Sequence, residues 1–127
     1  MPHPVFTILY VNHPQNSAGF YEELLQQPPL ELSPTFGLFK INDGFILGLW
    51  SKHTMQPTTT ATPGAIELAL PKATVHEVDT IYKQWQSLQQ KGLVFLSAPQ
   101  QMEFGYNFIA TDPDGHRIRV FCHTSSS

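Results

Sequence analysis

One order of elements, a strand, a helix and then three strands, can be read twice along the 127 residues, with an offset of roughly 60 between the two passes. In the first pass Val5 to Val11 (VFTILYV) is a β-branched and aromatic run. Phe6, Ile8 and Tyr10 share one of its faces, and Thr7, Leu9 and Val11 the other. Asn16 or Ser17 can cap the helix that follows, which places Phe20 and Leu24 on one side and ends at Gln26-Gln27-Pro28-Pro29. Strand-like pieces come next: a short one at Leu30 to Leu32, then Phe36 to Ile41 and Phe45 to Trp50. The last two are joined by Asn42-Asp43-Gly44, a strong hairpin signal. In the second pass Ala65 to Leu70 is the strand, and Thr74-Val75-His76-Glu77 has the form of a capping box. Val75, Val78, Ile81, Tyr82, Trp85 and Leu88 then follow the spacing of one buried helix face, and Gly92 supplies a left-handed end. A short piece at Leu93 to Leu96 precedes strands at Phe104 to Ala110 and His116 to Cys122, which an Asp-Pro-Asp-Gly turn connects.

Identity between the halves is slight, so the repeat rests on element order and on two Asp-Gly hairpins at corresponding places. The expected fold is α+β, a single domain of two βαβββ modules. Module one covers about 4–50, an exposed Thr- and Pro-rich linker about 51–63, module two about 64–123, and a disordered tail 124–127. Each helix covers one face of a small sheet, which leaves the other faces to form a concave cup.

Composition excludes several function classes. A net charge of -3 with no run of Lys or Arg lacks the electrostatic footprint of a nucleic-acid binder. Charged residues make up 13% and hydrophobic ones 41%, which argues against a disordered chain. No apolar stretch reaches the roughly 18 residues that cross a bilayer, and the N-terminal run is broken by His, Pro and Asn, unlike a secretory signal. The single Cys122 has no internal disulfide partner, which fits a cytoplasmic location. The six histidines show no metal-binding spacing, and no nucleophile elbow is present.

The paired modules, the NSAGFYEELL helix and the late motif FIATDPDGHRIRVF resemble the vicinal oxygen chelate superfamily of glyoxalases, bleomycin resistance proteins and dioxygenases. Metal-dependent members hold a divalent ion with His, Glu or Gln from four cup-facing strand positions. The resemblance implies that these fall at Phe6, Gly48, Ala65 or Glu67, and Arg119. Three or four N, O or S donors are needed for such an ion, and at best one remains, so no metal or other cofactor is expected. LGLWSK and DPDGHRIRV further resemble the metal-free branch of phenazine-antibiotic resistance proteins. That resemblance implies a cytoplasmic homodimer that sequesters a small planar aromatic ligand and acts on neither nucleic acid nor membrane.

The ligand-binding residues expected on these grounds are Trp50, Arg119, Phe6, Tyr10, Gly48, Glu67, Tyr106 and Phe108, with no catalytic residue among them. Trp50 is carried over from the resemblance, and Gly48 leaves room beside its indole for a flat ring. The alternative for Trp50 is a place in the core or a dimer interface. Strand parity puts Phe6, Ile8 and Tyr10 on the cup floor and makes Tyr106 and Phe108 a second aromatic wall. Arg117, Arg119 and Phe121 alternate with Ile118, Val120 and Cys122, so the latter three face the helix. Arg119 can hold a carboxylate through two parallel hydrogen bonds, and Glu67 is its expected partner when no ligand is bound. A metal-dependent enzyme of the same fold and a module that docks a protein partner are the alternatives.

Overall fold

In a computed structural model that describes residues 3–103 and 105–123, the repeat is realised as two four-stranded sheets of the same topology. Their contacts divide the chain into two units, with the break between Ala61 and Thr62. The first unit contains β1 (Val5–Val11), α1 (Pro14–Leu25), β2 (Glu31–Leu32), β3 (Phe36–Asn42) and β4 (Phe45–Ser51), and its sheet runs β1-β4-β3-β2. The second contains β5 (Glu67–Pro71), α2 (Val75–Gln84), a 3-10 segment (Trp85–Lys91), β6 (Val94–Met102), β7 (Gly105–Thr111) and β8 (Arg117–Cys122), in the order β5-β8-β7-β6. In each sheet the first strand pairs in parallel with the last, and the remaining pairs are antiparallel.

Each helix dries one face of its own sheet. In the first unit Leu9, Val11, Leu47, Leu49 and Phe39 are buried together with Ala18, Phe20, Tyr21 and Leu24 of α1. The cap of α1 lies earlier than expected. His13, in extended conformation, is the capping residue, and Pro14 occupies the first turn, where its fixed φ suits a helix and its missing N–H costs nothing. Asn16 and Ser17 therefore lie inside the helix, and the Ser17 N–H donates to the His13 carbonyl at 2.9 Å. In the second unit the Thr74 hydroxyl accepts from the Glu77 N–H at 3.1 Å, as the capping box requires. Val78, Trp85 and Leu88 form the buried stripe, and Gly92 closes it at φ +104. Val75 departs from the expected stripe: it sits at the first helical position and is exposed.

Both hairpins are held by their turn side chains. Asn42 Oδ1 accepts from the Gly44 N–H, and Asp112 Oδ1 accepts from the N–H groups of both Asp114 and His116, each at 2.9 Å. Gly115 adopts φ +100, which only glycine tolerates without strain. The segment expected as an exposed linker from residue 51 is only partly one. Ser51 ends β4, Met55 is buried, and the Lys52 N–H donates to the Val11 carbonyl, so exposure becomes continuous only from Gln56. The expected strand start at Phe104 and the tail 124–127 lie outside the described residues.

Candidate functional site

The face of the first sheet opposite α1 is apolar at its centre, with two charged residues on its β2–β3 side, Lys40 opposite Ile46 and Glu31 opposite Leu38. Register places Phe6 beside Ile46, Ile8 beside Gly48 and Tyr10 beside Trp50, and across β4 it sets Leu38 opposite Gly48 and Phe36 opposite Trp50. Side chains alternate between faces, so these residues share one surface. Phe6, Ile8, Tyr10 and Trp50 stay 49%, 41%, 40% and 39% exposed, a high value for large apolar groups on a sheet. Between them lies a recess of about 270 Å³ lined chiefly by Phe6, Ile8, Phe36, Leu38, Gly48 and Trp50. Tyr10 belongs to the same face but not to the lining of the recess.

Gly48 sets the depth of the recess. A Cβ at this position would stand 3.2 Å from Ile8 Cγ1 and 3.5 Å from Leu38 Cδ2, in the middle of the floor. Without a side chain there, the walls made by Phe6 and Trp50 stand above a low centre, a shape suited to a flat ring.

The open face of the second sheet is polar by contrast. Arg119 grips Glu67 through two bonds, Nε to Oε2 at 2.6 Å and Nη2 to Oε1 at 3.0 Å. Its Nη1 donates to Asn107 Oδ1 at 2.8 Å and approaches Met102 Sδ at 3.6 Å. Asn107 is fully buried, and its own amide donates to the Gly105 carbonyl at 2.9 Å. The guanidinium hydrogen bonds hold the Glu67 carboxyl below its ordinary pKa, against a smaller opposing effect of burial. Arg119 and Glu67 are thus brought together as the sequence led one to expect.

Tyr106 and Phe108 are not where strand parity put them. The DPDG turn sets Asp112 opposite His116, which fixes Phe108 opposite Val120 and Tyr106 opposite Cys122, all on the helix-facing side. Phe108 is fully buried against Tyr82, Trp85 and Phe95, with ring centroids 5.2, 5.4 and 5.9 Å away. The Tyr106 hydroxyl donates to Asp79 of α2 at 2.6 Å, and this bond to a carboxylate raises the phenol's pKa. They are core and helix-anchoring residues. The open face of β7 is made instead by Asn107, Ile109 and Thr111.

Two further members of the first recess, Phe36 and Leu38, escaped sequence reasoning. Their signal was the Asn42-Asp43-Gly44 hairpin, which pairs β3 with the strand carrying Gly48 and Trp50. A register shift between Lys40 and Asn42 changes the parity on one side of that turn.

The donor chemistry does not fit a divalent metal at the four positions that the family resemblance assigns. Phe6 and Gly48 offer no ligand atom, Arg119 is a cation, and both Glu67 oxygens face its guanidinium. Ala65 lies before β5 and has no donor either. Among the described residues no three His, Cys, Asp or Glu side chains converge as a metal cluster, and no helix is long and apolar enough to cross a membrane.

Comparison with known proteins agrees with this architecture. Residues 2–120 match the family described as Glyoxalase/Bleomycin resistance protein/Dioxygenase superfamily. A curated relative, the phenazine antibiotic resistance protein EhpR of Enterobacter agglomerans, is 25% identical over 92% of this chain and 89% of its own. Among solved structures, protein ATC0852 of Agrobacterium tumefaciens is 46% identical with a TM-score of 0.83, covering 98% of this chain and all of that one. A glyoxalase-related enzyme of Fulvimarina pelagi shares the fold at 23% identity, with a TM-score of 0.82 over 97% of this chain and 89% of its own.

Proposed function

The chain belongs to the Glyoxalase/Bleomycin resistance protein/Dioxygenase superfamily, and on that premise we propose that it binds a planar aromatic antibiotic of the phenazine type and sequesters it without turnover. The observation that carries this reading is the recess on the first sheet, where Gly48 leaves a low floor between the aromatic walls of Phe6, Phe36 and Trp50. Small-ligand sites are mostly apolar clefts of about 300–1,000 Å³, and an apolar recess of about 270 Å³ lies near the lower end of that range, a size suited to a compact ring system. The relative named as a phenazine antibiotic resistance protein supports the same ligand class. The misfit of the metal-ligand positions supports binding over metal-assisted chemistry. In this reading the protein acts as a cytoplasmic homodimer, in amounts at least equal to those of the drug.

The experiment is a tryptophan fluorescence titration of EDTA-treated protein with phenazine-1-carboxylate, beside elemental analysis of untreated protein and sedimentation analysis of its mass. Saturable quenching at one ligand per chain, no stoichiometric metal and a dimer are expected. No quenching together with one bound Zn, Fe or Ni per chain would replace this reading with an enzymatic one.

A further inference from the structure

Resting on that reading, we infer that the recess selects the uncharged forms of its aromatic ligand, so that an ionised carboxylate on the ring is a handicap and not a handle. The side chains that line it, Phe6, Ile8, Phe36, Leu38 and Trp50, include no cation, and the indole N–H of Trp50 is the one side-chain donor among them. Lys40 shares the sheet face, opposite Ile46, but lies outside the lining and pairs with Asp43 at 2.8 Å. A carboxylate on the ring edge that meets these apolar walls loses hydration without gaining a counter-charge. Arg119, the residue expected to receive a carboxylate, does not offer an uncompensated charge. Glu67 meets its guanidinium in a two-bond grip and Asn107 accepts a third bond. An incoming carboxylate would have to displace Glu67, exchanging one carboxylate for another with no net gain in charge pairing. The Glu67 carboxyl, held below its ordinary pKa by Arg119, also stays ionised in the neutral range.

The test compares three probes that share one ring system: phenazine-1-carboxylate, phenazine-1-carboxamide and the methyl ester of the acid, each titrated at pH 7.5 by quenching and by equilibrium dialysis. Both uncharged probes are expected to bind at least tenfold more tightly than the carboxylate. Equal or tighter binding of the carboxylate would overturn the inference while leaving the sequestration reading in place. A gain for the carboxamide alone would also overturn it, because discrimination would then rest on the amide hydrogens and not on charge. If none of the three binds, the ligand class itself is wrong and both readings fall.

Discussion

Replacing Trp50 with Ala removes one wall of the recess, and the size of the loss can be worked from its exposure. Trp50 keeps 39% of its surface in contact with solvent. A tryptophan carries up to about 250 Å², so about 100 Å² of indole remains for a ligand to cover. A flat ring lies on one side of the indole, so covering about half of this area is worth about 1.3 kcal/mol at ~25 cal/mol per Å². Offset stacking adds about 0.5–1.5 kcal/mol. The expected loss is therefore about 2–3 kcal/mol, or about 30- to 150-fold in Kd. Because the substitution removes the reporting indole, affinity is measured by equilibrium dialysis or calorimetry. The other tryptophan, Trp85, is buried on the helix-facing side of the second unit, and its unchanged emission checks that the protein is folded. A loss smaller than threefold in a folded Trp50→Ala protein would refute the assignment of Trp50 as a stacking wall.

Gly48→Ala puts a methyl group 3.2 Å from Ile8 Cγ1 and should weaken ring binding by about tenfold, with a shift of the thermal midpoint below about 3 °C because the added atom points to an open face. Glu67→Gln should cost about 1 kcal/mol at pH 7, a value kept small by the partial exposure of the pair. The lowered Glu67 pKa makes this contribution fully present above its ordinary value of 4.5 and lost as pH falls through the folded-state value. Urea unfolding at a series of pH values should accordingly show the two proteins converging in acid. Asp112→Ala removes a buried acceptor from the N–H groups of Asp114 and His116 and should destabilise the fold by about 2–3 kcal/mol in chemical denaturation. An Asp112→Asn protein, which keeps an acceptor oxygen, should recover a large part of that loss.

The sequence carried the repeat because each module is punctuated by a turn whose chemistry is local: Asn42-Asp43-Gly44 in one and Asp112-Pro113-Asp114-Gly115 in the other. The open face of β1 and β4 could also be read, since Gly48 and Trp50 mark one parity of a strand whose other parity carries Leu47 and Leu49. In β7 the same reasoning misplaced Tyr106 and Phe108, because aromatic residues fit a sheet core and a ligand wall equally well. The deciding information was present in the sequence but non-local. Once Ile118, Val120 and Cys122 are assigned to the helix side, the DPDG turn carries Phe108 and Tyr106 there as well. Phe36 and Leu38 were harder to place, since the irregularity between Lys40 and Asn42 shifts the register and leaves no mark in residue type. The place of Met55 in the core was hidden by the Thr and Pro residues that follow it.

The parallel pairing of first strand with last has a consequence for how the chain is made. β1 leaves the ribosome first in its unit but has its sheet partner only when β4 has emerged, and β5 likewise waits for β8. The grip of Arg119 on Glu67 spans 52 positions and forms only once β8 has been synthesised. At about 5–20 residues per second, β5 would spend several seconds with an unpaired edge, its Leu68 and Leu70 not yet covered. The first sheet, complete at Ser51, can close while the second is still being translated. A stop codon just before Arg117 would therefore keep all four strands of the first sheet in the chain and cost the second β8, one of its two interior strands and the partner of β5.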